Sequence, residues 1–369
     1  MKKIIKQTRS VCPNCLIEID AAIVEENGSI YMDKACKEHG FFRAMLSKYA
    51  WYYNGLNQFY NALSPRGHPF GDKDIENFQM YVTSRCNLSC NVCYSDSNSA
   101  GDDISLAEIK KMISAIKKKN RGISILGGEP TVREDLPEII KTIKQAGHRP
   151  ILFTNGLKLI DIEYLKKLKK FGLSRAGVWF DTLRSDEIYA KIRVPDLFDK
   201  KNRVLASLKA NDMSTIMVMV IVRGINEGEI ADIVDFARKN SFIDTLNIRS
   251  YAKIGRHYFS ASEEFANDEL TELIAEKTKN LITLEEFYLF QKLIYAIKLL
   301  FLNKPTCYQN QSIYIPRGNN KRMRDIFNLD ELERILNRVE QLYMESPHAA
   351  RKYLFKKLVL KFISNPFFA

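Results

Sequence analysis

Cys86-Asn87-Leu88-Ser89-Cys90-Asn91-Val92-Cys93 sets three thiols at C-x-x-x-C-x-x-C spacing, just after the alternating run Phe78-Gln79-Met80-Tyr81-Val82. Three thiols in one compact loop can hold three corners of an iron–sulfur cubane, whereas a [4Fe–4S] cluster usually takes four thiolates. The fourth iron is then open to a substrate or cofactor, which suits a reactive cluster better than an electron carrier. Structural zinc is the competing reading. Zinc takes four ligands, commonly in C-x-x-C pairs, and the odd third thiol counts against it.

Downstream, the short apolar run Ile123-Ser124-Ile125-Leu126 leads into Gly127-Gly128-Glu129-Pro130. Glycines at a strand end let the backbone approach a ligand closely, and Glu129 adds an acceptor for an ammonium group. The two motifs, one strand and one helix apart, resemble the radical S-adenosylmethionine (SAM) superfamily. That resemblance implies a [4Fe–4S] cluster on Cys86, Cys90 and Cys93 whose open iron chelates the amine and carboxylate of SAM. Gly127, Gly128, Glu129 and Pro130 would orient the amine. It also implies reductive cleavage of SAM to a 5′-deoxyadenosyl radical, with a reductase such as a flavodoxin or ferredoxin as partner. Asn155 in Thr154-Asn155-Gly156 and Asp181 in Phe180-Asp181-Thr182 match places where members of the superfamily contact SAM. Arg193 resembles an arginine that reaches the SAM carboxylate, and it reads equally well as a surface residue. Asn226 reads as a helix cap or as a ligand contact. Many members place an aromatic before the last cysteine; here Val92 stands there and Tyr94 follows, so Tyr94 is the candidate for stacking on adenine.

Residues 76–256 alternate strand-like and helix-like patterns, with strand candidates at 78–82, 122–126, 150–153, 175–180, 215–222 and 245–248. One intervening helix opens on a capping box, Ser105 with Glu108, and aligns Leu106, Ile109, Ile113 and Ile116. The next aligns Leu136, Ile139, Ile140 and Ile143 and stops at Gly147. Strands alternating with helices imply an α/β protein with a parallel sheet. The resemblance makes that sheet a partial (β/α)6 TIM-like barrel, whose sites lie at the C-terminal strand ends. Both motifs fall there.

Residues 1–75 carry a metal signature of their own. Cys12-Pro13-Asn14-Cys15 is a thiolate knuckle and Cys36-Lys37-Glu38-His39 a second pair, with Asn27-Gly28 between two alternating runs as a hairpin signal. A small zinc-ribbon-like module follows, with Cys12, Cys15, Cys36 and His39 around zinc, or around iron in rubredoxin fashion. Cys307 is a substitute ligand there or elsewhere, and a buried cysteine by default. Residues 257–369 read as a helical C-terminal extension. The apolar stretch 287–302 is too short and too charged to span a membrane. The basic amphipathic stretch 351–363 can lie on an anionic membrane or, on the simpler reading, pack against the protein.

At 369 residues the chain has room for one large domain with appendages, and its formal net charge is +12. The lysines are spread over many helices, so the charge describes solvated faces and no nucleic-acid partner is expected. Seven cysteines in paired and triple clusters point to metals in a reducing cytosol rather than to disulfides. The basic start lacks an apolar core, so a cytoplasmic protein is expected, with peripheral membrane contact left open by the tail. The order CPNC, hairpin, CKEHG, barrel core and late cysteine resembles the radical SAM subgroup that includes archaeal pterin methylases and tetraether-lipid synthases. That implies a transferase abstracting hydrogen from an unactivated carbon, followed by methylation or C–C bond formation on a lipid-like or small-molecule substrate; the apolar stretch 287–302 and the basic tail favour a lipid chain, and a pterin-like or other small molecule is the competing reading. After Cys93 only Cys307 remains, so at most one cubane is expected. A non-catalytic iron–sulfur, SAM-binding or electron-transfer protein on the same fold is the alternative.

Overall fold

The chain opens as an antiparallel meander of β1 (Lys2–Val11), β2 (Glu18–Glu26), β3 (Ser29–Cys36) and β4 (Gly40–Ser47). Asn27 and Gly28 join β2 to β3 with φ of 52° and 79°. Both central residues of this two-residue turn are left-handed, the conformation that makes Asn-Gly a hairpin former. The outer strands β1 and β4 escape the sequence reading because most of their residues are exposed and no buried face repeats. The structure, a computed structural model, describes residues 2–63, 77–259, 264–302, 322–326 and 328–363. Cys307 lies outside them.

After α1 (Ala50–Leu63), six strands form one parallel sheet in strict chain order: β5 (Asn77–Thr83), β6 (Gly122–Gly127), β7 (Arg149–Thr154), β8 (Arg175–Trp179), β9 (Ser214–Ile221) and β10 (Ile243–Ser250). The connecting helices are α2 (Leu106–Ala115), α3 (Leu136–Gln145), α4 (Ile162–Lys170), the short α5 (Asp186–Ile192), α6 (Phe198–Ala210) and α7 (Ile230–Lys239). Because the order never reverses, right-handed crossovers keep these helices on one face. Met80, Val82, Ile123, Ile125, Leu152, Val178, Met217 and Met219 are buried on alternate strand positions, as are Leu136, Ile139, Ile140 and Ile143 of α3. The intervening positions line a cavity. The ladder leaves β5 and β10 as its edges. The loops beyond them meet instead, Cys93 and Arg256 exchanging two backbone hydrogen bonds of 2.9 Å. The expected six strands are all present as a partial barrel; α5 is an addition that the sequence reading missed.

The chain divides into two compact units, Gly71–Phe265 with the parallel sheet, and Met1–Phe70 together with Ala266–Ala369. In the second, α8 (Asn267–Lys277), α9 (Leu284–Leu302), α10 (Met323–Ile326), α11 (Leu329–Glu345) and α12 (Pro347–Ile363) complete a helical layer with α1. Asp268 of α8, 1% exposed, accepts from Ser47 Oγ at 2.6 Å and from the amides of Lys48 and Tyr49. That one carboxylate ties the end of the meander to the C-terminal helices. The apolar residues of α9 are spent in this unit's own core, where Phe287, Leu293, Ala296 and Leu300 join Tyr52, Leu56, Phe59 and Leu63 of α1. Leu354 of α12 is fully buried there while Lys352 and Lys356 stay exposed. No helix among the described residues is long and apolar enough to cross a membrane.

Candidate active site and metal centre

The two glycines at the end of β6 serve a close approach of two backbones. The amide of Gly128 donates to Thr83 O at 2.9 Å and that of Glu129 to Arg85 O at 2.8 Å. A Cβ on Gly127 would stand 2.2 Å from Thr83 O, and one on Gly128 2.2 Å from Arg85 O. No side chain fits, and the segment that leads into Cys86 is thereby pressed against the end of β6. Gly128→Ala is expected to destabilise the fold by about 1–3 kcal/mol, as overpacking does, and to lower iron content per chain after anaerobic reconstitution. Unchanged iron and sulfide analysis would refute this role.

Glu129 is fully buried. Its Oε1 accepts from Thr131 N at 3.0 Å, Thr131 Oγ1 at 2.6 Å and Thr154 Oγ1 at 2.6 Å, and its Oε2 from Asn155 N at 2.6 Å. The carboxylate thus locks the end of β7 to the turn after β6, and Pro130 starts that turn. Asn155 in turn donates from Nδ2 to Asn87 Oδ1 at 2.8 Å, reaching the cysteine loop.

Two guanidinium groups brace that loop from outside the sequence motif. Arg193 donates to both oxygens of Asp181, Nε to Oδ2 at 2.7 Å and Nη2 to Oδ1 at 3.1 Å, and from Nη1 to Val92 O at 3.1 Å. Its side chain is 12% exposed and that of Asp181 is fully buried, so the surface reading of Arg193 does not hold. Arg256 donates to Cys90 O at 2.7 Å and Ser97 O at 2.9 Å and pairs with Asp96. Gly255, at φ 67°, precedes it because a Cβ there would meet Cys93 O at 2.4 Å. Asn226 is buried at the N-cap position of the short 3-10 turn Glu227–Glu229, but its side chain does not cap it: the amide donates to Asp181 O and Val220 O and accepts from Val222 N.

Cys86, Cys90 and Cys93 are partly buried on the wall of a cavity of about 440 Å³ that also takes in Gly127, Gly128, Asn155, Asp181 and Arg193. Burial pushes the free Cys86 thiol up to about 11 and raises that of Cys90, which Arg193 and Lys201 oppose. Loading a metal on this loop must therefore release protons. Tyr94 lies on the same wall, its hydroxyl donating to Tyr81 Oη at 3.1 Å.

Lys201 is the site residue that sequence reasoning missed. It is 4% exposed, and its Nζ donates to Asn155 O at 2.6 Å and Trp179 O at 2.7 Å, joining the ends of β7 and β8 at the cavity wall. Burial pulls its ammonium down to about 8. The signal was present: Lys201, Val204, Leu205 and Leu208 share one helix face at core spacing, and a lysine at such a position has a reason to be inside.

In the meander, the first knuckle closes by Leu16 N donating to Cys12 O at 2.9 Å, and the second by pairing of Cys36 with Gly40. His39 Nδ1 lies 3.7 Å from Cys12 Sγ and 3.5 Å from Cys36 Sγ, Cys15 Sγ lies 3.9 Å from Cys36 Sγ, and all four ligand atoms fall within 4.8 Å of one another. Tetrahedral zinc with ~2.3 Å bonds to sulfur and ~2.0 Å to nitrogen has ligand edges of roughly 3.5–3.8 Å. The donor set fits such an ion. His39 and neighbouring amides pull the Cys36 thiol down to about 6, toward the thiolate that a metal requires.

Residues 80–237, from β5 to the end of the last barrel helix but two residues, match the radical SAM superfamily. This stretch is a radical SAM domain. Its residues 4–48 match the HMPTM N-terminal zinc ribbon domain. Over 308 residues it is 34% identical to 7,8-dihydro-6-hydroxymethylpterin dimethyltransferase of Methanocaldococcus jannaschii, covering 77% of this chain and 61% of that protein. Over 174 residues it is 30% identical to a probable GTP 3′,8-cyclase of Methanothermobacter thermautotrophicus, covering 46% of this chain and 56% of that one. The chain thus spans about three fifths of the length of these curated relatives. Among solved structures, methylornithine synthase aligns with a TM-score of 0.43 at 20% identity, covering 61% of this chain and 69% of that one. A radical SAM domain implies a [4Fe–4S] cluster and SAM, and the ribbon implies a metal in the N-terminal module.

Proposed function

We propose that this radical SAM protein methylates a small heterocyclic molecule at an unactivated carbon. The observation that carries the reading is the convergence of three cysteines and the Gly127–Gly128 backbone on one cavity whose charged wall residues are already braced. When bound, a [4Fe–4S] cluster with SAM supplies a 5′-deoxyadenosyl radical able to take hydrogen from carbon, given one electron from a reductase such as flavodoxin or ferredoxin.

The chain's own residues do the rest. Cys86, Cys90 and Cys93 would hold the cluster, with SAM beside it in the same cavity. Gly127, Gly128 and Asn155 meet its methionine part. Glu129 and Pro130 hold that turn in shape. Asp181 and Arg193 keep the cysteine loop at one position and present charge to SAM from the cavity wall. Phe153, Trp179, Val218 and Val220 make the middle of that wall apolar, which limits water beside the reacting carbon. Zinc is the metal we assign to Cys12, Cys15, Cys36 and His39, and the cytoplasm is the compartment in which these thiols stay reduced.

The relatives' names favour a small molecule over a lipid chain. A pterin and the guanine of GTP share a fused 2-amino-4-oxopyrimidine ring, and it is such a ring that we assign to this cavity. The apolar stretch that favoured a lipid is spent in a core as α9, and α12 of the basic tail buries Ala350 and Leu354 in the same unit.

The test is anaerobic: reconstitute the cluster, reduce it with SAM and a reduced pterin present, and quantify 5′-deoxyadenosine and S-adenosylhomocysteine together. Both products are expected. Deoxyadenosine without S-adenosylhomocysteine would replace methylation by coupling or rearrangement. Neither product, with the cluster intact and reduced, would overturn the enzyme reading in favour of a binding protein.

A further inference from the structure

Small parallel barrels fill their interiors with branched apolar side chains. This one does so only in part. The cavity-facing positions are polar toward the edge strands, with Gln79 on β5, Ser124 on β6, and Asn247 and Arg249 on β10. The middle strands contribute two rings, Phe153 on β7 and Trp179 on β8, edge to face with centroids 6.0 Å apart. Gly177 of β8 makes room for them, since a Cβ there would stand 2.4 Å from the Phe153 ring. The inner wall therefore has an aromatic face flanked by hydrogen-bonding edges.

Arg249 stands apart from the other arginines around the cavity. Arg193 has Asp181, and Arg256 has Asp96 with two carbonyls. Arg249 is exposed to the cavity, and among the described residues it forms no ion pair; its Nε donates to Asn247 Oδ1 at 3.3 Å. That contact holds the stem and leaves both terminal amino groups of the guanidinium to donate as a fork. An arginine fork matches an adjacent carbonyl oxygen and ring nitrogen, as arginine reads O6 and N7 of guanine, and glutamine or asparagine amides match mixed donor and acceptor edges. Aromatic rings suit the π-face of the same ligand.

We infer that Arg249, Asn247 and Gln79 read the edge of a planar nitrogen heterocycle bearing a carbonyl beside a ring nitrogen, while Phe153 and Trp179 meet its face. The inference rests on the small-molecule methylase reading and gives it a substrate subsite. An alkyl chain is the wrong occupant: it would strip water from these polar groups without replacing their hydrogen bonds, a loss greatest at the charged one.

The experiment measures equilibrium binding to cluster-loaded, SAM-bound protein of three probes: pterin, 2-aminopteridine, which lacks the ring carbonyl, and oleate. Wild type is expected to bind pterin most tightly. Arg249→Gln is expected to weaken pterin by roughly ten- to a hundredfold, the loss of one to two charge-assisted hydrogen bonds, while changing 2-aminopteridine far less. Asn247→Leu serves as the second variant, with the same direction and a smaller effect. Iron content per chain and far-ultraviolet circular dichroism show whether each variant is folded and loaded. Tighter binding of oleate than of pterin by wild type overturns the subsite, as does an equal or absent effect of both variants on the two pteridines. Selective loss of pterin binding in a protein that forms no S-adenosylhomocysteine would sustain the subsite and sink the methylase reading instead.

Discussion

Stripping the metal from Cys12, Cys15, Cys36 and His39 is expected to unfold the meander of β1 to β4 while the parallel sheet persists. The meander has little apolar core to hold it: β1 is exposed along most of its length, and among buried residues Ile23 and Ile30 cluster only with Ala50 of α1. Modules this small rarely stand without a metal or a disulfide, and structural zinc contributes roughly 10–16 kcal/mol of apparent binding energy in zinc-finger peptides. The measurement is limited proteolysis with mass spectrometry on the full chain, before and after chelation under reducing conditions, with metal content determined in parallel. Cleavage should appear between Lys2 and Ser47 only after the metal is gone. Equal protection in metal-free protein would mean that the Asp268 anchor and α1 suffice. Cys36→Ser should reproduce the effect of chelation, because it removes the thiol that His39 already draws toward its charged form.

Asp181→Ala is expected to cost about 3–5 kcal/mol, the penalty for removing one partner of a buried ion pair and leaving the other without compensation. Stabilities of ordinary domains run from about 5 to 15 kcal/mol, so the loss is a large fraction of the whole. Its consequence reaches the cysteine loop. Arg193 is aimed by Asp181 and holds Val92 O, and Asp181 also accepts from Val220 N at 3.0 Å. Without the carboxylate the guanidinium has no fixed direction, and the loop loses one of its two braces. Chemical denaturation should show the lowered midpoint, and iron analysis after reconstitution a reduced cluster content. Asp181→Asn, which keeps the shape and one acceptor, should fall between. Wild-type stability together with full iron content in Asp181→Ala would refute both parts of the argument.

Much of the fold is legible in the chain because its signals are local. Each of the six barrel strands is a short apolar run between helix patterns, and each lies where its periodicity puts it. The Asn27-Gly28 hairpin follows from the two left-handed residues that only such a pair adopts cheaply. The four candidate ribbon ligands follow from two short-range pairs that a hairpin brings together. What the local pattern does not carry is seen in β1, β4 and α5. The first two bury too little to show a period, and α5 has seven residues, less than two turns.

The sequence by itself determined which residues are candidate ligands, the parallel α/β core and the placing of both motifs at strand ends, since each depends on residues within a few positions of one another. Tertiary structure alone decided what supports them. Arg256 meets Cys90 across 166 residues, Asn91 meets Ala190 across 99, and Lys201 meets Asn155 across 46. It also decided that Arg193 is a brace buried against Asp181 rather than a surface charge, that Arg249 faces the cavity with no ion pair among the described residues, and that the ends of the chain share a unit through Asp268. The physical reason is the same in each case. A charged side chain acquires its role from the groups that desolvate and pair it, and in a barrel those groups arrive from strands and loops remote in sequence.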